Sequence, residues 1–325
     1  MLSRQAGVEY QELQCTIEPS GTVSLSFIFS FNHIEPSGLG RMGVIEEVTF
    51  PLTIYLKEVI MPYAKRGGVN IYYETYGKGS PIVFLHPFST NGYIWYFQTF
   101  PFAQTNQCIV IDERGHGRSD KPQQGYAIKE MAADVGTVLD DLKVNKAILV
   151  GNSIGGMITM QFNLDNPDRV IGNVIVSSGT NLAAGMPPEA KAAFQKDPVG
   201  TFGTLVDGAF SAKTKRERPE LFDLMKAHFM VEDNFPRHAF FAAIGDPNGV
   251  FNWNISDHLK NIRKPTLVLA GEEDQATPVA ANKFLADNIP GAQLCVLNDV
   301  GHFYQLEKSA DFNRDLAQFV KRIAA

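Results

Sequence analysis

Two periodicities alternate along the chain from about residue 68 onward. Short apolar runs, continuous or alternating, are typical of strands, and the longer stretches between them repeat their apolar positions at helical spacing. The predicted strands are 69–76, 81–85, 108–112, 146–150, 170–176, 266–270 and 293–297, and the predicted helices are 91–102, 131–142, 153–164, 279–288 and 310–321. This alternation predicts an α/β fold with a mostly parallel, doubly wound sheet.

The stretch 179–256 interrupts this rhythm. It contains helical segments such as 219–230 and many aromatic residues, but no convincing buried strand. Ligands of open parallel sheets bind beyond the carboxyl ends of the strands, and an insertion at this point predicts a helical cap over that edge. The predicted organisation is a core of residues 61–178 and 257–325, with a cap of residues 179–256.

The first sixty residues do not follow the pattern. From Val23 to Phe31 apolar residues alternate with mostly polar ones, which is typical of a strand, and prolines and glycines punctuate 36–43. The segment from Met61 onward resembles a natural chain start. Two interpretations of residues 1–60 stay open: a dispensable extension that is not native to the protein, or a genuine small β appendage.

Composition narrows the classes of function. Of 325 residues, 44% are apolar and 20% charged, which is ordinary for a globular protein with a substantial core. A net charge of −6 without a long basic run argues against a nucleic-acid partner. Three distant cysteines argue against a disulfide framework or a zinc site. With no apolar run of membrane-spanning length and no evident signal peptide, we expect a cytoplasmic protein without a membrane partner.

The most informative motif is Gly-Asn-Ser-Ile-Gly at residues 151–155, where strand 146–150 runs into helix 153–164. A serine between glycines at a strand-to-helix turn is typical of a nucleophile elbow, whose strained backbone pushes the hydroxyl out above the sheet. The glycines are needed because strand and helix pass too close for a Cβ atom. The pattern alone is weak, and its place between a strand and a helix carries the prediction of Ser153 as a nucleophile.

A serine hydroxyl is a weak nucleophile at neutral pH, so it needs a base and an acid that orients the base. The loops after the last two predicted strands offer both in the expected chain order. His302 is the one histidine that directly follows the last strand. The preceding loop carries Glu272, Glu273 and Asp274, and these three acids compete for the role, although the two glutamates are typical of surface charges on a turn.

Residues from about 62 to 323 resemble the α/β-hydrolase superfamily, in particular its small esterase and lactonase-like members, including 3-oxoadipate enol-lactonases and cofactor-free haloperoxidases. The resemblance implies a catalytic triad with Ser153 as nucleophile, Asp274 as acid and His302 as base. It rests on five segments: Leu-His-Pro-Phe at 85–88, Asp-Glu-Arg-Gly-His-Gly-Arg-Ser at 112–119, Gly-Asn-Ser-Ile-Gly-Gly at 151–156, Gly-Glu-Glu-Asp at 271–274 with Pro278, and Gly-His at 301–302.

The oxyanion loop departs from the family pattern. The family usually has His-Gly where this chain has His86-Pro87, and proline has no N–H to donate. The resemblance places the donor at the next residue, Phe88, and a second backbone donor at Ile154, directly after the nucleophile. We therefore expect a working oxyanion hole with an altered loop conformation. His116, in the 112–119 segment, is interpreted as structural packing.

The predicted function is a serine hydrolase that cleaves a small ester or lactone through an acyl-enzyme, with no cofactor and no metal. Two alternatives stay open: a carbon–carbon bond hydrolase, for which Arg237 and His238 are candidate ligands of a dicarbonyl acid, and a catalytically silent receptor of the same fold. The physiological substrate and the oligomeric state stay undetermined. The residues predicted to line the substrate pocket are His86, Trp95, Asn152, Phe229, Phe241, Trp253 and Phe303.

Overall fold

The computed structural model describes residues 62–181, 206–230 and 252–324, six isolated positions between 189 and 201, and the backbone of four strands before residue 62. The chain divides into two units, Met1–Met61 and Pro62–Ala325. In the first unit, β1 (Val8–Ile17) and β2 (Thr22–Phe31) pair antiparallel. Two short strands, β3 (Glu47–Val48) and β4 (Ile54–Tyr55), also pair with β2. The strand predicted from the alternation up to Phe31 is thus confirmed by β2.

The second unit contains one eight-stranded sheet. Its strands are β5 (Tyr63–Arg66), β6 (Val69–Tyr76), β7 (Ser80–Leu85), β8 (Asn106–Ile111), β9 (Ala147–Asn152), β10 (Val170–Val176), β11 (Thr266–Gly271) and β12 (Gln293–Leu297). They lie in the order β12-β11-β10-β9-β7-β8-β6-β5. Strands β5 and β6 pair antiparallel, and so do β6 and β8. Every neighbouring pair from β8 across to β12 is parallel. The mostly parallel sheet is as predicted.

Helices cover both faces of this sheet. The described ones are α1 (Tyr96–Phe102), α2 (Ile128–Asp141), α3 (Ile154–Asp165), α4 (Ala212–Glu217), α5 (Pro219–Met230), α6 (Val279–Asn288), α7 (Tyr304–Glu307) and α8 (Ser309–Ala324). Successive strand residues point to opposite faces, so that Val83 packs in a core with α2 and α3, and Phe84 packs in a second core with α1 and α8. This is the doubly wound arrangement that the continuous apolar strands predicted.

The parallel strands place three loops at one edge of the sheet. The segments that follow β9, β11 and β12 all leave the carboxyl ends of parallel strands, and these ends share an edge. They carry Ser153, Asp274 and His302 respectively. Of the predicted cap, the described part contains α4 and α5, and the domain boundaries proposed from the sequence stay predictions. Among the described helices, none combines the length and the apolar character that a membrane crossing needs.

Candidate active site

Ser153 lies at the turn between β9 and α3, and its backbone conformation is uncommon. Its φ is 55° and its ψ is −115°, outside the regions that residues with a Cβ ordinarily adopt. Its N–H donates to the Val176 carbonyl oxygen at 2.9 Å, and its own carbonyl accepts from Ser178 Oγ at 2.7 Å. Strand β10 and the residues after it therefore hold the turn in the strained geometry of a nucleophile elbow.

Two glycines make this turn sterically feasible. A Cβ on Gly151 would lie 2.1 Å from the carbonyl oxygen of Gly155, and a Cβ on Gly155 would lie 2.3 Å from the carbonyl oxygen of Leu85. Neither distance is compatible with a side chain, and in both cases the obstacle is backbone. The first turn of α3 thus packs directly on the ends of β9 and β7, as the glycines predicted.

Asp274 and His302 form a hydrogen-bonded pair at the same edge. His302 Nδ1 lies 2.9 Å from Asp274 Oδ2, and both side chains are almost completely buried. Asp274 Oδ1 also accepts from the backbone N–H groups of Ala276 and Thr277, each at 2.9 Å, and Oδ2 accepts from Thr277 Oγ1 at 2.7 Å. Of the three competing acids, the structure brings Asp274 to the histidine. Glu272 is exposed, and Glu273 Oε2 accepts from the N–H of Ala212 at the start of α4.

These contacts keep Asp274 ionised. Burial raises the pKa of this carboxyl, but the facing His302 and the hydrogen bonds from His302 and Thr277 lower it by more. The net pKa lies below its ordinary value. An ionised acceptor requires a proton on His302 Nδ1. The other ring nitrogen, Nε2, is then the one that can accept a proton.

The residue before the serine ties the histidine loop to the elbow. Asn152 is fully buried, and its Nδ2 donates to the carbonyl oxygens of Val176 at 3.1 Å and His302 at 3.2 Å. Its Oδ1 accepts from Gln305 Nε2 at 2.9 Å. Asn152 therefore fixes the backbone of His302 next to Ser153. Within the described residues, no hydrogen bond joins Ser153 Oγ to the His302 ring in this structure.

A buried glutamate that the sequence analysis missed holds the same loop. Glu307 Oε1 accepts from the N–H of Gly301 at 2.9 Å and from that of Phe303 at 3.4 Å, one on each side of the histidine. Its Oε2 accepts from the N–H of Ser211 at 2.9 Å and from Thr214 Oγ1 at 2.8 Å, at the start of α4. The only signal in the sequence was an acid five residues after His302, which is indistinguishable from a surface charge.

Comparison with known proteins agrees with this geometry. A family model described as the alpha/beta hydrolase fold matches residues 80–309. The chain belongs to the α/β-hydrolase family. A solved structure titled "Est816 as an N-Acyl homoserine lactone degrading enzyme" is 67% identical, with a TM-score of 0.78, and covers 79% of this chain and 100% of that one.

Two curated relatives of this hydrolase are more distant. A putative carbamate hydrolase RutD from Azorhizobium caulinodans is 29% identical over 280 residues, which are 81% of this chain and 99% of the relative. A 3-oxoadipate enol-lactonase 2 from Acinetobacter baylyi is 25% identical over 260 residues, covering 78% of this chain and 94% of the relative. The match therefore extends over the fold and not over a single motif.

The predicted oxyanion loop follows β7 and contains the His86-Pro87 dipeptide. His86 and Pro87 are buried, Phe88 is partly buried with its ring 5.4 Å from that of His116, and Ser89 has a φ of 61°. Ser89 Oγ donates to the carbonyl oxygen of Phe229 at 2.9 Å, which connects the loop to the end of α5. Ile154, the second predicted donor, is the first residue of α3.

Two of the predicted pocket residues meet beside the histidine. The rings of Phe229 and Phe303 lie 5.0 Å apart, and Phe303 lies 5.1 Å from the ring of His302. Phe210 packs against Phe303 at 4.8 Å. All three phenylalanines are almost fully buried and belong to the core that lies under α5. They form an apolar wall at the base of the cap, next to the candidate catalytic residues.

Two other predicted pocket residues have contacts in the core and on helix α3, and their place in a pocket stays a prediction. Trp95 is fully buried between Phe84 and Phe312, with ring distances of 5.4 and 5.9 Å, because its large apolar surface fills the core under α8. Trp253 Nε1 donates to Gln161 Oε1 at 2.8 Å. Gln161 lies two turns along α3, about 12 Å from Ser153 along the helix axis. Phe241 lies outside the described residues.

His86, Glu113 and His116 form a buried cluster of metal-ligating residue types, with ligand atoms within 4.8 Å of one another. His86 Nε2 is only 2.5 Å from Glu113 Oε2. Two ligands of one zinc ion at about 2.0–2.1 Å stand about 3.3 Å apart in a tetrahedral site. In this structure the two atoms are closer to each other than two ligands of one ion would be, and His86 is fully buried.

Proposed function

We propose that this hydrolase opens lactones or cleaves small esters through an acyl-enzyme on Ser153, with N-acyl homoserine lactones as the first substrates to test. The observation that carries the proposal is the buried pair of Asp274 and His302 at the sheet edge that also bears the strained serine turn. The 67% identical protein titled as an N-acyl homoserine lactone degrading enzyme supports the choice of substrate. Its whole length matches within this chain.

In the proposed mechanism, His302 Nε2 takes the proton of Ser153 Oγ as this oxygen attacks the carbonyl carbon of the substrate. Asp274 holds the imidazole by its Nδ1–H and stabilises the imidazolium that forms. The Phe88 and Ile154 N–H groups stabilise the negative oxygen of the tetrahedral intermediate. His302 then protonates the leaving alkoxide, which stays tethered when the substrate is a lactone. A water molecule, deprotonated by His302, hydrolyses the acyl-enzyme and regenerates the serine.

Carbon–carbon bond hydrolases of this fold often carry an asparagine before the serine, where this chain has Asn152. All polar atoms of Asn152 are engaged with Val176, His302 and Gln305 inside the protein. This residue therefore supports the histidine loop in any chemistry and does not favour a dicarbonyl acid as substrate. Arg237 and His238, the other residues considered for that reaction, lie outside the described residues.

The nucleophile is tested by Ser153→Ala. We expect kcat for an N-acyl homoserine lactone or a p-nitrophenyl ester to fall at least about a thousandfold, because only binding and oxyanion effects then remain. The melting temperature should stay close to that of the wild type. A fluorophosphonate should label the wild type and not the variant. A variant that keeps wild-type kcat would remove Ser153 from the mechanism, and a wild type that is neither labelled nor active would favour the silent receptor.

The substrate class is tested by comparing kcat/KM for N-acyl homoserine lactones, simple lactones, p-nitrophenyl esters and vinylogous dicarbonyl acids. We expect lactones or esters to exceed the dicarbonyl acids by orders of magnitude. A preference for the dicarbonyl acids would reverse the proposal in favour of carbon–carbon bond cleavage.

A further inference from the structure

The oxyanion loop contains a hydrogen-bond arrangement around the carbonyl group of Pro87. His86 Nδ1 lies 2.8 Å from the Pro87 oxygen, and Thr90 Oγ1 donates to the same oxygen at 2.8 Å. A carbonyl oxygen only accepts, so His86 Nδ1 must carry a proton. Two side chains therefore fix the direction of a single backbone carbonyl in a loop where Pro87 itself offers no N–H.

Fixing this carbonyl also fixes the N–H group of Phe88. The carbonyl of Pro87 and the N–H of Phe88 belong to one planar peptide group, in which the two bonds point in opposite directions when the peptide is trans. The next residue, Ser89, is in the left-handed region with a φ of 61°, a conformation that costs free energy without a glycine. Side chains are thus needed to hold the peptide in one orientation.

Glu113 determines which nitrogen of His86 carries the proton. Its carboxyl Oε2 lies 2.5 Å from His86 Nε2, and its backbone N–H donates to the same nitrogen at 3.0 Å. This N–H occupies the one lone pair of Nε2, so Nε2 carries no proton, and the carboxyl oxygens of Glu113 make no hydrogen bond among the described residues. His86 then keeps its own proton on Nδ1, where it faces the carbonyl of Pro87.

We propose that His86 and Thr90 are positioning residues that aim the Phe88 N–H into the oxyanion hole, with the backbone N–H of Glu113 setting the His86 tautomer. The inference rests on the proposed function, because it assumes that Phe88 is an oxyanion donor. It explains how the loop can operate with proline in place of the usual glycine.

Burial and neighbouring charges oppose each other in this cluster. Burial raises the pKa of Glu113 to about 7, against the opposing effect of His86. Burial lowers the pKa of His86, but the facing Glu113 outweighs burial and the net pKa of His86 is raised. Burial lowers the pKa of His116 to about 3 and also lowers the pKa of His228. Hydrogen bonds from Arg118 outweigh the burial of Asp112 and lower its pKa.

The threonine tests the geometry without changing charge. Thr90→Val removes one donor to the Pro87 carbonyl at nearly constant volume, and we expect kcat to fall about tenfold with KM within about twofold, since an oxyanion donor acts in the transition state. Thr90→Ser keeps the donor and should recover most of kcat. Thr99→Val is the matched control, because the Thr99 hydroxyl is equally buried but donates to the carbonyl of Trp95 in the helical segment that follows the oxyanion loop.

The inference and the proposed function fail differently. If the wild type hydrolyses esters and lactones but Thr90→Val keeps wild-type kcat, the positioning role is wrong and the triad stands. If the wild type is inactive and is not labelled by a fluorophosphonate, the proposed function is wrong. Melting temperatures of all variants separate loss of fold from loss of positioning.

Discussion

Two buried carboxyl groups near the candidate site have pKa values shifted in opposite directions, and their partners explain why. Asp274 accepts four hydrogen bonds, including one from His302, and these outweigh burial so that its pKa is lowered. Glu113 faces a single imidazole, and burial dominates and raises its pKa. Residue type and depth are similar, so the number of hydrogen-bond donors decides the direction of the pKa shift.

The ionised acid gives a prediction at the residue scale. In Asp274→Asn the amide can donate to His302 Nδ1, which moves the imidazole proton to Nε2 and removes the lone pair that Ser153 needs. We expect kcat to fall about 10³–10⁴-fold. Glu272→Gln, which neutralises an exposed acid two residues earlier, should leave kcat unchanged. Steady-state kinetics on one chromogenic ester check both, and equal losses in the two variants would contradict the role of Asp274.

The same substitution has a consequence for stability against pH. A carboxyl whose pKa is lowered by folding stabilises the native state above its ordinary pKa of about 3.9, and this contribution is lost as the pH falls through the lowered value. The melting temperature of the wild type should therefore fall more steeply on acidification than that of Asp274→Asn. Parallel curves would indicate that the native pKa is not lowered.

The sequence predicts the role of a single residue where the residue belongs to a recognisable motif. It does not predict a role that depends only on contacts formed on folding. The serine, the acid and the histidine lie at strand ends in a recognisable order, and the structure brings Asp274 to His302. Glu307, Thr277 and Gln305 lie around them, but their roles depend on which backbone groups they face after folding. Sequence spacing carries no information on such contacts between distant segments.

At the scale of elements, helix α3 packs directly against the end of β7. Gly155→Ala places a Cβ 2.3 Å from the carbonyl oxygen of Leu85, which cannot move without breaking the sheet ladder. We expect a loss of about 1–3 kcal/mol in the free energy of unfolding and reduced kcat, since the helix start carries Ile154. Gly136→Ala, on helix α2, is the control, because its Cβ would lie 3.5 Å from Phe162 and should stabilise the protein. Chemical denaturation of both measures the contrast, and a Gly155→Ala variant as stable as the wild type would mean that α3 can shift.

A second prediction concerns a polar group inside the same helix. Thr159 is fully buried in α3, and its Oγ1 has no hydrogen-bond partner among the described residues. Thr159→Val keeps the shape and removes the unsatisfied hydroxyl, so the free energy of unfolding should rise by about 1 kcal/mol, with kcat unchanged. Denaturant midpoints of variant and wild type measure this. A lower midpoint for the variant would show that a partner, such as a buried water, satisfies the hydroxyl.

Elements were predictable in proportion to their apolar pattern. The strand predicted at 69–76 coincides with β6 (Val69–Tyr76), and the buried parallel strands were found within two residues. Strand β5 (Tyr63–Arg66) was missed, because four residues at a sheet edge with two basic side chains leave no apolar run. The place of β7 between β8 and β9 in the sheet was also beyond the pattern, since sheet order depends on crossovers and not on strand composition.

At the scale of the molecule, the second unit contains every element on which the candidate site depends. The eight-stranded sheet, its two packed faces and the loops with Ser153, Asp274 and His302 all lie within Pro62–Ala325. The 67% identical structure covers 79% of this chain with its entire length. A protein of that size therefore forms this fold without a counterpart for the remaining fifth of the sequence, which is the basis for the last prediction.

A chain that begins at Met61 should fold and keep kcat/KM within about twofold of the full chain, because it retains β5 and the complete sheet.

A chain that begins at Gly79 is the control. It lacks β5 and β6, and so removes the ladder between β6 and β8 and the bond from the Tyr72 N–H to Ser119 Oγ at 2.7 Å that supports the 112–119 loop. This second chain should lose cooperative unfolding and activity, because the edge of β8 and the loop beside His86 are then unsupported. Thermal unfolding and hydrolysis of one lactone distinguish the two. Insolubility or loss of activity already on removal of the first sixty residues would show that they are an integral part of the hydrolase and not a dispensable extension.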